Sequence, residues 1–145
     1  MRLTRHSDYG LRVLMYLGLQ PDHLATIDEI ARAYGISRAH LMKVVHGLGR
    51  AGFVETVRGR GGGLRLARPP AEIGLGDVVR TTEGRMDLVE CFDPATNACR
   101  IEPVCALRGV LEEALAAFLD TLDGYTLADL TARRRGALAR LLTQD

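Results

Sequence analysis

A mainly α chain with a single β-hairpin is predicted by three observations on the 145-residue sequence. Three amphipathic segments of helical period crowd into its N-terminal third, two short alternating segments flank "RGRGGG", and a broad apolar stripe runs from Cys105 to Leu122. The length suits one domain, or a small domain with an appendage, and allows a real core. With 47% hydrophobic residues and a net charge of +1, the composition excludes a disordered chain. No apolar run reaches the roughly 18 residues of a membrane span. "MRLTRHSDYG" lacks the apolar centre of a secretory signal, so a cytoplasmic location without a membrane partner is expected.

The first helix is expected after Ser7, over "DYGLRVLMYLGL", where Leu11, Leu14, Met15 and Gly18 recur at helical spacing. Asp8 then sits in its first turn, where a carboxylate complements the helix dipole. "QPDHLA" interrupts the pattern. In "TIDE", Thr26 and Glu29 have the spacing of a capping box that opens a second helix, with Ile30, Ala31 and Tyr34 inward and Gly35 closing it. Ser37 can cap a third helix, in which Leu41, Val44, Val45 and Leu48 fall at i, i+3, i+4 and i+7, ending near Gly49 or Gly52. "FVETV" and "LRLA" read as two antiparallel strands around the glycine-rich turn. Two helices joined by "YGIS" and followed by a hairpin make a winged helix-turn-helix with a β-hairpin wing.

"RPPAEIG" breaks the chain and "LGDVVRTTEG" suits a short helix, whereas Arg85 to Val104 has no sustained period and reads as a loop. Beyond it, Leu107, Val110, Leu111, Ala114, Leu115, Phe118, Leu119 and Leu122 form a stripe wider than one neighbour requires. A long C-terminal dimerisation helix is therefore expected, packing on its own domain and on a second copy in a homodimer. "GYTLADL" and "RRRGALARLL" close the chain in one or two short helices. The organisation expected is a winged-helix DNA-binding domain over 1–82, a cysteine-containing loop over 83–104, and the dimerisation helix with its closing helices over 105–145.

Charge is unevenly divided. Residues 1–70 carry 11 Lys and Arg against 5 Asp and Glu, a net of +6, while residues 71–145 carry 8 against 13, a net of −5. The first part suits a polyanion. In a helix-turn-helix the second helix enters the major groove, so Ser37, Arg38, His40, Lys43 and His46 are candidates to contact operator DNA, at phosphates or base edges. Arg58, Arg60 and Arg65 flank the wing glycines, and an arginine on a narrow wing fits the negative potential of the minor groove. A phosphate-binding loop is excluded by the lack of Gly-Lys-Ser/Thr, and no nucleophile, base and acid set points to an enzyme.

All three cysteines lie in "CFDPATNACRIEPVC", spaced Cys-x7-Cys-x5-Cys. In a reducing compartment an odd trio of thiols points to metal binding or thiol reactivity rather than structural disulfides. Zinc sites draw ligands from shorter gaps, and a fourth ligand would have to be recruited from His6 or His23. Longer gaps suit a bulkier iron-sulfur cluster, whose fourth ligand would be an oxygen, a nitrogen or a small molecule. Glu90, Asp93 and Glu102 are near in sequence; Asp8 is distant.

"MRLTRHSDYGLRVLMYL", "YGISRAHLMKVVHGLGRAGFVETVRGRGGGLRLA", "IGLGDVVR", the three cysteines and "FLDTLDGYTLADL" together resemble the NsrR family of nitric oxide-sensing transcriptional repressors. That family lies in a winged-helix superfamily that also contains IscR. The resemblance implies a homodimer whose subunits each ligate a cluster through Cys91, Cys99 and Cys105, with Asp8 of the other subunit as fourth ligand and Arg12, one turn along, paired to that carboxylate. A 4Fe-4S cluster is the preferred form and 2Fe-2S the alternative. The first cysteine gap is longer than is usual in the family. The histidine that IscR-like members carry shortly after the third cysteine is replaced here by the region of Leu107 and Arg108, which points towards NsrR. The function expected is a repressor that senses nitric oxide. The competing expectations are a zinc-bound or thiol-redox DNA-binding regulator without a cluster, and an iron-sulfur status regulator of the IscR type.

Overall fold

The computed structural model describes residues 2–143. Helix α1 (Arg5–Leu19) starts earlier than the sequence suggests, because Thr4 is its N-cap and accepts the Ser7 N–H at 3.2 Å. Ser7 lies inside the helix and is fully buried, its hydroxyl bonded by that of Thr82 at 2.7 Å. A polar group in this position needs such a partner, and the partner lies 75 residues away.

Helix α2 (Ile27–Tyr34) opens with the expected capping box between Thr26 and Glu29 and stops at Gly35, whose φ of 63° is the left-handed conformation glycine adopts without strain. Helix α3 (Arg38–Arg50) is capped by Ser37, which accepts the His40 N–H at 3.3 Å, and buries Leu41, Val44, Val45 and Leu48. Strands β1 (Val54–Val57) and β2 (Gly63–Leu66) pair antiparallel, Val54 opposite Leu66 and Val57 opposite Gly63. On the turn side of β2, Leu64 exchanges backbone hydrogen bonds with Ala25, at 2.7 and 3.1 Å. A Cβ at Gly63 would lie 2.8 Å from the Ala25 carbonyl, so only glycine lets the strand come this close.

A single 3-10 turn over Pro70–Glu72 leads to α4 (Leu75–Glu83). The following stretch, expected as plain loop, contains two further 3-10 turns at Glu90–Phe92 and Glu102–Val104. Helix α5 (Ala106–Asp123) follows, then α6 (Leu127–Ala132) and α7 (Arg135–Thr143).

The core is built around α1, whose Val13, Leu14 and Leu17 meet Ile30, Leu41, Leu48, Ile73, Val78 and Leu127. Helices α3, α4 and α6 all pack on α1, and α7 folds back against α1 and α2. Helix α5 leans on α4 and buries none of its residues. Its Leu107 and Val110 are each 60% exposed, and Val104 just before it is 87% exposed. Among the described residues no helix is long and apolar enough to cross a membrane.

Candidate nucleic-acid interface and cysteine loop

Ser37, Arg38, His40, Lys43 and His46 are all exposed along α3, opposite the face that Leu41, Val44, Val45 and Leu48 bury. Arg58 and Arg60 project from the wing turn, where Gly59 and Gly61 have φ values of 103° and 76°. The structure thus brings the predicted cations onto exposed parts of the helix-turn-helix and its hairpin. Two of them already have partners: Arg38 pairs with Asp28 of α2 at 3.0 Å, and Arg65 pairs with Glu55 directly across the hairpin. Ser37 spends its hydroxyl on capping α3. Arg50, which the helical pattern did not single out, lines a cleft of about 430 Å³ with Met42, His46 and Thr56, where α3 faces β1. Its signal in the sequence was its place in the last turn of α3. Such a surface is equipped to meet a phosphate backbone, with side chains on α3 able to reach base edges.

The three cysteines are free thiols; Cys91 is buried and Cys99 and Cys105 are half-buried. Cys91 sits within one 3-10 turn, the Cys99 N–H is held by the Asn97 side chain at 3.0 Å, and Cys105 is the N-cap of α5. Arg85 clasps the loop by pairing with Asp87 at 2.8 Å and Asp93 at 2.9 Å. Asp93 also accepts the Ala95 N–H and the Thr96 hydroxyl. Those hydrogen bonds, that of Ala95 first, hold its carboxyl below the usual carboxylate range. Among the described residues no three His, Cys, Asp or Glu side chains converge as a metal-holding group. The donors nevertheless fit a soft-metal group in kind: three unpaired sulfurs on one short loop, the last at a helix N-terminus that favours negative charge. Asp8 is half-exposed on α1 and receives both Nε and an Nη of Arg12, each at 3.0 Å, in a two-point fork.

Two polar joints, both between residues far apart in sequence, tie α4 to α5 and to α1. In the last turn of α4, Arg80 forks onto Asp123 of α5 at 2.7 and 2.6 Å, and this bond keeps the Asp123 carboxyl below its ordinary value. Gly76 makes room for it, since a Cβ there would lie 1.8 Å from the Asp123 carboxylate. Three residues on, Glu83 accepts the Thr4 N–H at 2.7 Å and its hydroxyl at 3.0 Å. Burial pushes the Glu83 carboxyl up, but hydrogen bonds from Ser7 and Thr4 outweigh it and leave the group lowered. From there α1 touches α3 directly: a Cβ on Gly47 would lie 3.0 Å from the His6 ring, and Tyr9 meets His40 edge to face at 5.9 Å.

Comparison with known proteins agrees with this layout. Residues 3–133 match the Rrf2 family model, described as an iron-dependent transcriptional regulator. The HTH-type transcriptional regulator NsrR of Bacillus subtilis (strain 168) is 51% identical over 100% of both chains. The regulator of the same name from Shouchella clausii is 53% identical over 90% of this chain and 88% of its own. Among solved structures, T. potens IscR superposes with a TM-score of 0.76 at 26% identity, covering 94% of this chain and 90% of that one.

Proposed function

The chain belongs to the Rrf2 family of transcriptional regulators, and from that premise we propose that it is a cytoplasmic, homodimeric DNA-binding repressor that senses nitric oxide through an iron-sulfur cluster. The observation that carries the reading is the placement of three free thiols on the segment that enters α5, a helix that rests on α4 but has none of its apolar stripe fully buried by its own chain. Cys91, Cys99 and Cys105 would hold the cluster, 4Fe-4S in preference to 2Fe-2S, with Asp8 of the partner subunit as the oxygen donor. When bound, the cluster supplies iron that nitric oxide attacks.

The protein's own part is mechanical. Residues 1–82 form the DNA-binding head, 83–104 the sensing loop, and 105–145 the dimerisation helix and its closing helices. Cys105 starts α5, so any rearrangement of the loop acts on one end of a rod of 18 residues, about 27 Å long. The far end of that rod is fixed to α4 by the Arg80–Asp123 fork, and α4 is fixed to α1 through Thr82, Glu83, Ser7 and Thr4. Helix α1 packs on α3. Two heads carried by one dimer must match operator half-sites at a set spacing, so a small tilt of α5 lowers operator affinity. Arg12 neutralises Asp8 when that carboxylate has no other charge to meet.

Anaerobic purification tests the reading. The expected result is a brown protein with stoichiometric iron and sulfide that loses its colour and its DNA affinity on exposure to nitric oxide. A colourless anaerobic protein rich in zinc, or one whose DNA binding follows thiol oxidation alone, overturns it in favour of a regulator without a cluster. Asp8→Ala is expected to alter the cluster's spectrum and its response to nitric oxide; an identical cluster in that variant removes Asp8 from the ligand set.

A further inference from the structure

The cations on the DNA-facing surface divide into two groups. Lys43, Arg50, Arg58 and Arg60 have no carboxylate partner among the described residues, whereas Arg38 and Arg65 are each held by one. The Arg38 Nε meets an Asp28 oxygen at 3.0 Å, with side chains 62% and 64% exposed. Arg65 and Glu55 face each other in the hairpin register and are also well exposed. Pairs this open to solvent contribute little to folding, so the fold does not require these carboxylates. Each occupies arginine donors on the exposed face of α3 or the wing that a phosphate could otherwise take.

We propose that Asp28 and Glu55 are brakes on sequence-independent DNA binding, each holding one arginine of the reading surface away from the phosphate backbone. The inference rests on the DNA-binding reading above. Attraction to phosphate supplies essentially all of non-specific affinity, and it grows with the number of phosphates neutralised. A carboxylate beside an arginine cancels that arginine's share and repels the incoming phosphate. Fewer molecules are then held on the large excess of non-operator sequence. Asp28 acts at the start of α3, from the helix before it; Glu55 acts in the wing, from the neighbouring strand. The two brakes therefore work on separate elements and are expected to be independent.

The experiment is binding of the anaerobically purified full-length protein to a mixed-sequence DNA duplex, across a salt series, for wild type, Asp28→Asn and Glu55→Gln. Circular dichroism confirms that each variant is folded. Each carboxylate removal is expected to tighten binding about 3- to 10-fold at roughly 0.1 M salt and to steepen the slope of log K against log salt by about 0.9. The gain from Asp28→Asn disappears in an Arg38→Ala background, and that from Glu55→Gln in an Arg65→Ala background. Unchanged slopes in both variants overturn the proposal. So does weaker binding, the result for a carboxylate that itself accepts from a cytosine amino group. A separate variant, Lys43→Ala with Arg58→Ala, tells the two failures apart. If wild type binds the duplex and this variant binds less, the DNA reading stands and only the brakes fall. If neither wild type nor any variant binds with a salt dependence, both fall.

Discussion

Helices α1 and α5 are of similar length and both carry an apolar stripe, yet α1 buries eight of its fifteen residues and α5 buries none of its eighteen. The stripe on α1 is used up by its own chain: α3, α4 and α6 close over it. The stripe on α5 touches α4 and is otherwise open, with Leu107 and Val110 turned outward. The same periodic pattern thus has two meanings. In α1 it specifies an intramolecular core; in α5 it leaves an apolar face largely exposed, which the proposed function assigns to a second copy of the chain.

The largest expected effect tests the α1 side. Leu14→Ala removes a fully buried side chain from the centre of the core and is expected to cost about 2–5 kcal/mol in urea unfolding. Val110→Ala on α5 is expected to change the unfolding free energy of the monomer by no more than about 0.5 kcal/mol. Comparable losses at the two sites would break the contrast. Next in size is Leu107→Asp with Val110→Asp, expected to weaken self-association by about 30-fold or more in sedimentation velocity, on the scale of about 2 kcal/mol for a central interface residue. Retained dimers would move the interface off this face.

Smaller is Thr26→Ala, which removes the reciprocal cap of α2 inside the head and is expected to cost about 1 kcal/mol without altering sedimentation. The smallest effect lies at the joint between the two helices' territories. Arg80 lowers the Asp123 carboxyl below its ordinary 3.8, so the contribution of that pair is complete above pH 3.8 and is lost as pH falls through the lower folded value. NMR titration of Asp123 is expected to show the depressed value in wild type and a return to the ordinary range in Arg80→Gln. An unshifted Asp123 in wild type would show that the fork does not persist in solution.

Much of the head was legible because its signals are local. The Thr26 and Glu29 box, the Ser37 cap, the inward set of α3 and the hairpin around the glycines all depend on residues within a few positions of one another. The start of α1 was not legible. Ser7 has the composition of a cap, but its hydroxyl is committed to Thr82, and nothing near it in sequence announces that bond. The same holds for Arg80 and Asp123, which lie 43 residues apart. The candidate DNA residues were legible as an exposed set, because burial of one face of α3 dictates the other. That two of the arginines are held by carboxylates depends on how α2 faces α3 and on hairpin register. The cysteine loop was visible as a donor set, while its 3-10 turns and the Arg85 clasp arise from tertiary polar contacts without periodicity.

The bridge between Ala25 and Leu64 ties the second strand of the wing, one pair from its turn, to the segment between α1 and α2. An arm that orders only on contact with DNA would lose about 1–2 kcal/mol of backbone entropy per residue at that moment. A hairpin anchored in this way has little backbone freedom left to lose, and association need order only the Arg58 and Arg60 side chains at its tip. In the proposed function, encounter with a duplex would then be limited by diffusion and charge rather than by folding of the wing, which would favour rapid sampling of successive sites along the double helix.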